Sequence, residues 1–171
     1  MYLGHNFDKV TGFKDSVARG IEENLTWRKI REGVLPILQE DDIWFTNYFM
    51  GLQDGPTNVG QLTRTEGFEL YEQDCWDFFR LQVALQRPRR IAVLGKEVTL
   101  VLGTAQRLNV PEWAIPSDRP YGRFRFVKHK KITEHQGVTN VFDMIAVYHP
   151  AYGRSSNQLS KVLEDSTFLS Q

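Results

Sequence analysis

Three polar side chains occur where the sequence predicts that buried strands end. Asn6 and Asn47 follow short apolar runs, and His149 follows a longer one that begins at Phe142. Each side chain alone commonly caps or turns the backbone. In a parallel sheet, however, the carboxyl ends of the strands meet at one edge, where two amides and an imidazole can form hydrogen bonds with a flat heterocycle. These three residues are therefore the first candidates for a binding site.

The segment after His149 combines a proline, a glycine, an arginine and two serines. Pro150 cannot continue a strand ladder, and Ser155 and Ser156 can cap a following helix. The backbone N–H groups of such a helix start, together with Arg154, can bind an anion. The alternative is a purely structural turn in which His149 donates to a backbone carbonyl. Taken alone, the segment favours that structural alternative. The polar residues at the other strand ends favour a binding role for His149 instead.

The elements that must position these residues alternate along the chain. Strands are predicted near residues 1–3, 43–46, 90–95 and 142–147, and helices near residues 26–38, 68–86, 96–102 and 156–169. This alternation predicts a parallel sheet with helices on both faces. We expect a three-layer α/β/α sandwich with a central, mostly parallel four-stranded sheet, in a single domain of residues 1–171. Either the first strand is very short or the natural N-terminus lies further upstream.

The longest helical signal, over residues 68–86, predicts a stripe of side chains that faces the core. Its members are Tyr71, Cys75, Phe78, Phe79, Gln82 and Leu85. Residues 50–64 predict a long exposed loop, and residues 109–120 predict an irregular, proline-rich connection. Long loops at the edge of a sheet are often functional.

The composition is typical of a globular protein. Of the 171 residues, 41% are hydrophobic and 25% are charged, and the formal net charge is zero, which argues against a strongly basic nucleic-acid coat. Cys75 is the single cysteine, which excludes an internal disulfide or a cluster held by several cysteines of this chain. The sequence has no signal-peptide pattern and no apolar run of membrane-spanning length, so we expect a cytoplasmic monomer without a membrane partner.

A basic cluster interleaved with aromatic residues precedes the last predicted strand. Its members are Arg119, Arg123, Arg125, Lys128, His129, Lys130 and Lys131. Charged and apolar residues alternate over 123–128, which predicts a half-exposed edge strand or hairpin arm, and such charges commonly protect an edge against aggregation. The functional alternative is contact with the phosphates of DNA, mainly through Arg125 and Lys128.

Five short motifs, taken in order, resemble those of the uracil-DNA glycosylase superfamily. They are Gly4-His5-Asn6, Phe45-Thr46-Asn47, Arg87-Pro88, Ile91-Ala92-Val93-Leu94-Gly95 and Tyr148-His149-Pro150-Ala151-Tyr152. The likeness covers nearly the whole chain and is greatest for the bacterial and archaeal branch that normally carries an iron–sulfur cluster. It implies a single α/β/α domain that removes a deaminated base flipped out of DNA. One cysteine departs from that branch, because its cluster requires four.

The resemblance also implies roles for individual residues. Asn6 matches the residue that holds or activates the attacking water, and Asn47 matches the amide that recognises uracil by donating to O4 and accepting from N3–H. His149 matches the histidine that donates to O2 of the base and stabilises the departing anion. Phe7 and Asp8 stand where the family motif usually continues with proline, and Asp8 can share with Asn6 the orientation of the water.

Two further groups of residues complete the expected site. The family stacks an aromatic ring on the base, and Phe7 or Phe13 can take its place here, although either can equally be a core residue. The loop that enters the duplex at the vacated base corresponds to Tyr152, Gly153, Arg154, Ser155 and Ser156. The implied partner is DNA that contains uracil or a related damaged base, and the implied reaction uses no metal or other cofactor.

Two other function classes stay open at this point. A superfamily member that has lost catalysis would bind a modified base, a nucleotide or a nucleic-acid end, which Phe7-Asp8 and the missing stacking ring favour. A nucleoside or nucleotide hydrolase built on the same sheet would act on free nucleosides but not on DNA.

Overall fold

The computed structural model describes residues 1–6, 14, 17–20, 25–33, 44–51, 67–114 and 129–147. The strands are β1 (Tyr2–Asn6), β2 (Phe45–Phe49), β3 (Arg90–Leu94), β4 (His129–His135) and β5 (Val138–Val147). The helices are α1 (Leu25–Gly33), α2 (Phe68–Gln86), α3 (Lys96–Gly103) and α4 (Pro111–Ala114). None of these described helices is long and apolar enough to cross a membrane.

The five strands form one mostly parallel sheet in the order β2-β1-β3-β5-β4. Strands β1, β2, β3 and β5 run parallel, and β4 pairs with β5 in the antiparallel direction. Gln136 and Gly137 form the two-residue turn between β4 and β5, with φ angles of 50° and 78°. Positive φ at both positions is what a tight hairpin turn of this twist requires. The four parallel strands therefore bring their carboxyl ends to one edge of the sheet.

Helices α2 and α3 pack against one face of this sheet. The strand residues that point toward them are buried: Leu3, Tyr48, Ile91, Val93, Phe142 and Met144. In α2, Cys75, Phe79 and Val83 recur at a spacing of four, so they lie on the helix face that meets the sheet. Burying each such apolar side chain stabilises the fold by about 1.5–3 kcal/mol.

The opposite face of the sheet is buried as well. The register places Tyr2, Ala92 and Ile145 side by side on that face, because paired residues of neighbouring strands share a face. All three residues are at most 4% exposed. Burial on both faces is typical of parallel sheets in α/β proteins.

Several sequence predictions are confirmed by these elements. Helix α2 has the predicted bounds, and β3 passes directly into α3 as expected. Strand β5 contains the predicted apolar run that begins at Phe142. In the sequence a proline or glycine follows within three residues of the end of each of α2, β3 and β5, which limits where the element can stop.

Three other predictions need correction, and a fourth is not tested. The sheet has five strands instead of four, because residues 129–135 pair with β5 as an antiparallel edge strand. The edge strand predicted at 123–128 lies outside the described residues. Strand β2 does not end at Asn47 but continues to Phe49, and the connection predicted to be irregular contains helix α4.

The inward face of α2 also differs from the predicted stripe. Phe78 and Leu85 are 40% and 70% exposed, whereas Glu72 and Trp76 are buried in their stead. A charged residue can occupy an inward position when it is paired and hydrogen-bonded, which a pattern based on hydrophobicity does not anticipate.

Candidate functional site

The strand order creates a switch point between β1 and β3. Strand β2 follows β1 in the chain and lies on one side of it, whereas β3 follows β2 and lies on the other side. The chain connections therefore lead away from the centre of the sheet in opposite directions. In open α/β sheets, ligands bind in the crevice outside the carboxyl ends of the strands at such a point.

The ladders on the two sides of β1 have different lengths, and this opens the sheet at its carboxyl edge. Strand β1 pairs with β3 only as far as Leu3 and Val93, but it pairs with β2 as far as Asn6 and Phe49. Strand β3 meanwhile continues beside β5 to Leu94. Beyond Leu3 the two central strands no longer pair with each other. We call the region between their unpaired carboxyl ends the switch-point crevice.

Asn47 lies next to this crevice, over Gly4 of β1. The two residues are register partners in β2 and β1, so they occupy the same face of the sheet. A Cβ atom at position 4 would collide with Asn47 Oδ1 and would lie 3.6 Å from Asn47 Cγ. The bare Cα of Gly4 therefore provides the space for the amide, a close approach that a glycine within a strand allows.

Asn47 lies within β2 and is partly exposed, whereas Tyr48 and Phe49, which follow it, are buried. Among the described residues, none forms a hydrogen bond with the Asn47 side chain. An amide carries a donor beside an acceptor and can therefore bind a ligand that presents the complementary pair.

The opposite wall of the crevice is the turn from β3 into α3. Gly95 has φ 95° and ψ 162°, a conformation that favours glycine. Its N–H donates to the carbonyl of Val147 at 2.8 Å, and its carbonyl accepts from Thr99 Oγ1 at 2.7 Å. These bonds tie the turn to β5 on one side and to the first helical turn of α3 on the other.

Tyr48, the residue after Asn47, anchors β2 on the opposite face of the sheet. Its side chain is fully buried, and its hydroxyl donates to Glu72 Oε1 of α2. Arg107, which follows α3, donates to the same oxygen through Nε at 3.0 Å and to Oε2 through Nη2. The guanidinium also lies over the ring of Trp76, with 5.4 Å between Cζ and the ring centroid. We call Tyr48, Glu72 and Arg107 the anchor triad.

The protonation states of the anchor triad suit a structural role. Burial raises the pKa of Tyr48 far above its ordinary value, and the hydrogen bond to Glu72 raises it further. The hydrogen bond to Glu72 likewise raises the pKa of Arg107. Neither pKa moves toward neutrality, which general acid–base catalysis requires. The phenol therefore stays a donor and the guanidinium stays a cation.

A second contact holds the chain where it leaves β2. The ring of Phe49 stacks on Tyr71 of α2, with centroids 6.2 Å apart. A Cβ atom at Gly51 would lie 2.9 Å from the Tyr71 hydroxyl oxygen, so the backbone there packs closely against this side chain. Strand β2 is thus fixed to α2 by the two residues that directly follow Asn47.

The structure describes only part of the predicted site. Asn47 is described in full, and Asn6 is described by its backbone, which ends β1 at the same edge. The other predicted site residues lie outside the described residues: Phe7, Asp8, Phe13, Arg125, Lys128, His149, Tyr152, Gly153, Arg154, Ser155 and Ser156. Strand β5 ends at Val147, beside the end of β3, so the chain reaches the His149 segment from this edge.

Sequence reasoning missed two features of this site. The first is the packing of the Asn47 amide on Gly4, for which a signal exists, because glycine inside a strand often marks a close approach. The second is the anchor triad. Glu72 is 24 positions from Tyr48 and 35 positions from Arg107, and no local pattern connects residues so far apart.

Neither a metal centre nor a family assignment follows from the observations above. Within the described part of the chain, no group of three or more His, Cys, Asp or Glu side chains is arranged to hold a metal ion. The chain matches no family model and no curated protein. Its function is therefore inferred from the crevice and from the sequence motifs.

Proposed function

We propose that this protein is a DNA base-excision glycosylase, which hydrolyses the N-glycosidic bond of uracil or a related deaminated base flipped out of DNA. The observation that carries the proposal is the Asn47 amide, which packs on Gly4 beside the switch-point crevice. In this proposal residues 1–171 form a single three-layer α/β/α domain that acts as a cytoplasmic monomer.

The amide suits the recognition of uracil because the two hydrogen-bonding patterns are complementary. Uracil presents an acceptor at O4 next to a donor at N3–H, and the Asn47 side chain presents an NH2 group next to a carbonyl. Cytosine reverses both positions, so an amide of fixed orientation would face a donor with a donor. Leaving such groups unpaired in a buried pocket costs about 1–3 kcal/mol each.

The chemistry of base removal explains the remaining members of the proposed site. Cleavage of the N-glycosidic bond places negative charge on the departing base and positive charge on the sugar. His149 would donate to O2 of the base, and a donor of this kind contributes about 2.7–4 kcal/mol to transition-state stabilisation. Asn6 and Asp8 would orient the attacking water. Strands β1 and β5 support this arrangement, because they end at the carboxyl edge, at Asn6 and Val147.

The other proposed contacts are to the base and to the DNA strand. Phe7 or Phe13 would stack on the flipped base, and stacking contributes about 1–3 kcal/mol per base. Residues 152–156 would occupy the gap in the duplex, and Arg125 and Lys128 would bind phosphates.

Uracil release from a labelled oligonucleotide, under single-turnover conditions, tests this proposal. We expect release from single-stranded or double-stranded substrate, and a loss of at least about 100-fold in Asn47→Ala. Asn140→Ala is the matched control, because Asn140 lies in the same sheet and its buried Nδ2 has no hydrogen-bond partner within the described residues. It should release uracil at the wild-type rate.

Four results would contradict the proposal or replace it. No release from either substrate would reject it, as would equal rates for Asn47→Ala and Asn140→Ala. Binding of uracil-containing DNA without an abasic product would indicate a binding protein of the same fold. Activity on free nucleosides but not on DNA would indicate a nucleoside hydrolase.

A further inference from the structure

We propose that the anchor triad is a positioning network, which sets the place of the Asn47 amide relative to the opposite wall of the switch-point crevice. The proposal rests on the proposed function for its activity readout, but its spectroscopic readout does not. The triad residues act through the backbone and touch neither base nor sugar, so they are positioning residues.

The first step is the direct connection between the triad and the amide. Tyr48 and Asn47 are consecutive residues of β2, and successive side chains of a strand point to opposite faces. Tyr48 is held at its ring by Phe79, with centroids 6.0 Å apart, and at its hydroxyl by Glu72. A shift of the Tyr48 side chain therefore moves the backbone that carries the Asn47 amide.

The second step is the connection to the opposite wall. Arg107 belongs to a tight turn at the end of α3, where its N–H donates to the carbonyl of Thr104 at 3.1 Å. The N–H of Leu108 donates to the carbonyl of Leu102 at 3.1 Å, which fixes the turn to the helix. Helix α3 begins directly after Gly95, the crevice wall formed by β3. The ion pair between Glu72 and Arg107 therefore links β2, through Tyr48, to the C-terminal end of the helix that begins after Gly95.

The third step concerns what a buried ion pair contributes. The side chains of Arg107 and Glu72 are only 13% and 10% exposed. The cost of removing two charges from water offsets most of their mutual attraction. Apolar side chains of similar size in the same place therefore often stabilise a fold as much as a buried ion pair does. A two-point contact between guanidinium and carboxylate does, however, fix distance and orientation, which apolar packing does less well. The geometry of the Arg107–Glu72 ion pair therefore indicates that it positions the elements it joins more than it adds net stability.

Arg80, a residue of α2, provides a matched control for Arg107. Its guanidinium also lies over Trp76, with Cζ 5.9 Å from the ring centroid. It pairs with Asp77 at 3.3 Å and donates to the carbonyl of Glu134 in β4. Arg80 thus resembles Arg107 in residue type and aromatic contact, but it links α2 to the edge strand β4 and not to β2.

The experiment compares Arg107→Met with Arg80→Met in the full chain by two readouts. The first is kcat/KM for uracil release, which should fall by about tenfold or more in Arg107→Met, because small displacements of a positioned group are costly. Arg80→Met should stay close to the wild type. The second is the side-chain amide signal of Asn47 in the ¹⁵N-labelled protein, identified by its loss in Asn47→Ala. This signal should shift in Arg107→Met and stay in place in Arg80→Met.

The two readouts separate the failure of this proposal from the failure of the proposed function. Equal effects of the two arginine variants on both readouts would overturn the positioning network. If the wild type releases no uracil, the proposed function fails, and the amide signal alone decides for or against the network. If Arg107→Met does not fold, Tyr48→Phe takes its place, because it keeps the ion pair and removes only the hydroxyl contact; an unmoved Asn47 signal there would overturn the proposal.

Discussion

Asn47 and Tyr48 are neighbours in β2, yet their polar groups have opposite environments. The Tyr48 hydroxyl is buried, donates to Glu72 and belongs to a network that reaches Arg107. The Asn47 amide is partly exposed and has no hydrogen-bond partner within the described residues. Buried polar groups are normally satisfied by the fold, whereas a polar group at a crevice can bind a ligand. Tyr48 thus holds β2 in the fold, and its neighbour Asn47 presents the candidate site.

The largest expected effect is the loss of the carboxylate of the anchor triad. Glu72→Ala leaves the guanidinium of Arg107 buried without its partner and should lower the free energy of unfolding by about 3–5 kcal/mol. Asp77→Ala removes an exposed pair on the same helix, where the Asp77 side chain is 49% exposed, and should cost at most about 1 kcal/mol. Urea unfolding measures both values. Equal losses would show that the triad is no more important to the fold than a surface pair.

The next effect concerns the opposite face of β2, where Gly4 supports the amide. Gly4→Ala introduces a methyl group at the place that Asn47 Oδ1 occupies, so the amide has to rotate away. Uracil release should fall by about tenfold or more. The free energy of unfolding should change little, because the colliding atom is the end of a side chain that can move.

A double-mutant cycle decides whether that loss arises through the amide. In Asn47→Ala the atom that collides with the new methyl group is absent, so adding Gly4→Ala should reduce uracil release no further. Independent, multiplicative losses in single-turnover rates would mean that Gly4 affects release by another route.

The smallest effect is on the dependence of stability on pH. Burial raises the pKa of Tyr48, Tyr2 and Tyr71 above the ordinary value of about 10. The unfolded chain therefore loses these protons first as pH rises, so stability is full below about pH 10 and declines above it. The decline amounts to about 1.4 kcal/mol per pH unit for each of the well-buried Tyr48 and Tyr2, and it is smaller for Tyr71, which is more exposed to solvent.

Two variants connect this pH dependence with the two faces of β2. In Tyr48→Phe one of the titrating groups is absent, so the free energy of unfolding should fall less steeply at alkaline pH. In Asn47→Ala the slope should equal that of the wild type, because an amide does not titrate. Urea unfolding between about pH 9 and pH 11 measures both slopes. A wild-type slope in Tyr48→Phe would contradict the burial of its hydroxyl in a satisfied network.

The sequence predicts the elements whose patterns are unambiguous. Helix α2 and strands β3 and β5 have continuous apolar patterns and clear stops, and the structure confirms them. The prediction of which α2 side chains face the core is wrong, because Glu72 is buried with partners that are distant in sequence. The predicted strand count is wrong because β4 is polar and charged apart from Ile132, and its pairing depends on the turn at Gln136 and Gly137.

The candidate site could be predicted only in outline. Asn47 is a candidate because it follows an apolar run, and the structure places it at the middle of β2, one residue before the buried Tyr48. Its packing on Gly4 depends on the register between β1 and β2, which the sequence does not specify. The predicted partners Asp8 and His149 lie outside the described residues, so their placement in the site stays a prediction.

The most direct test of the account follows the Asn47 side-chain amide by NMR while free uracil is added to the ¹⁵N-labelled protein. We predict that uracil shifts the Asn47 signal and that cytosine at the same concentration does not, because only uracil presents an acceptor and a donor that match the amide. The side-chain signal of Asn140, which lies in the same sheet with a buried amide, should stay in place with both bases. An Asn47 signal that uracil leaves unmoved, or that both bases shift equally, would contradict the account.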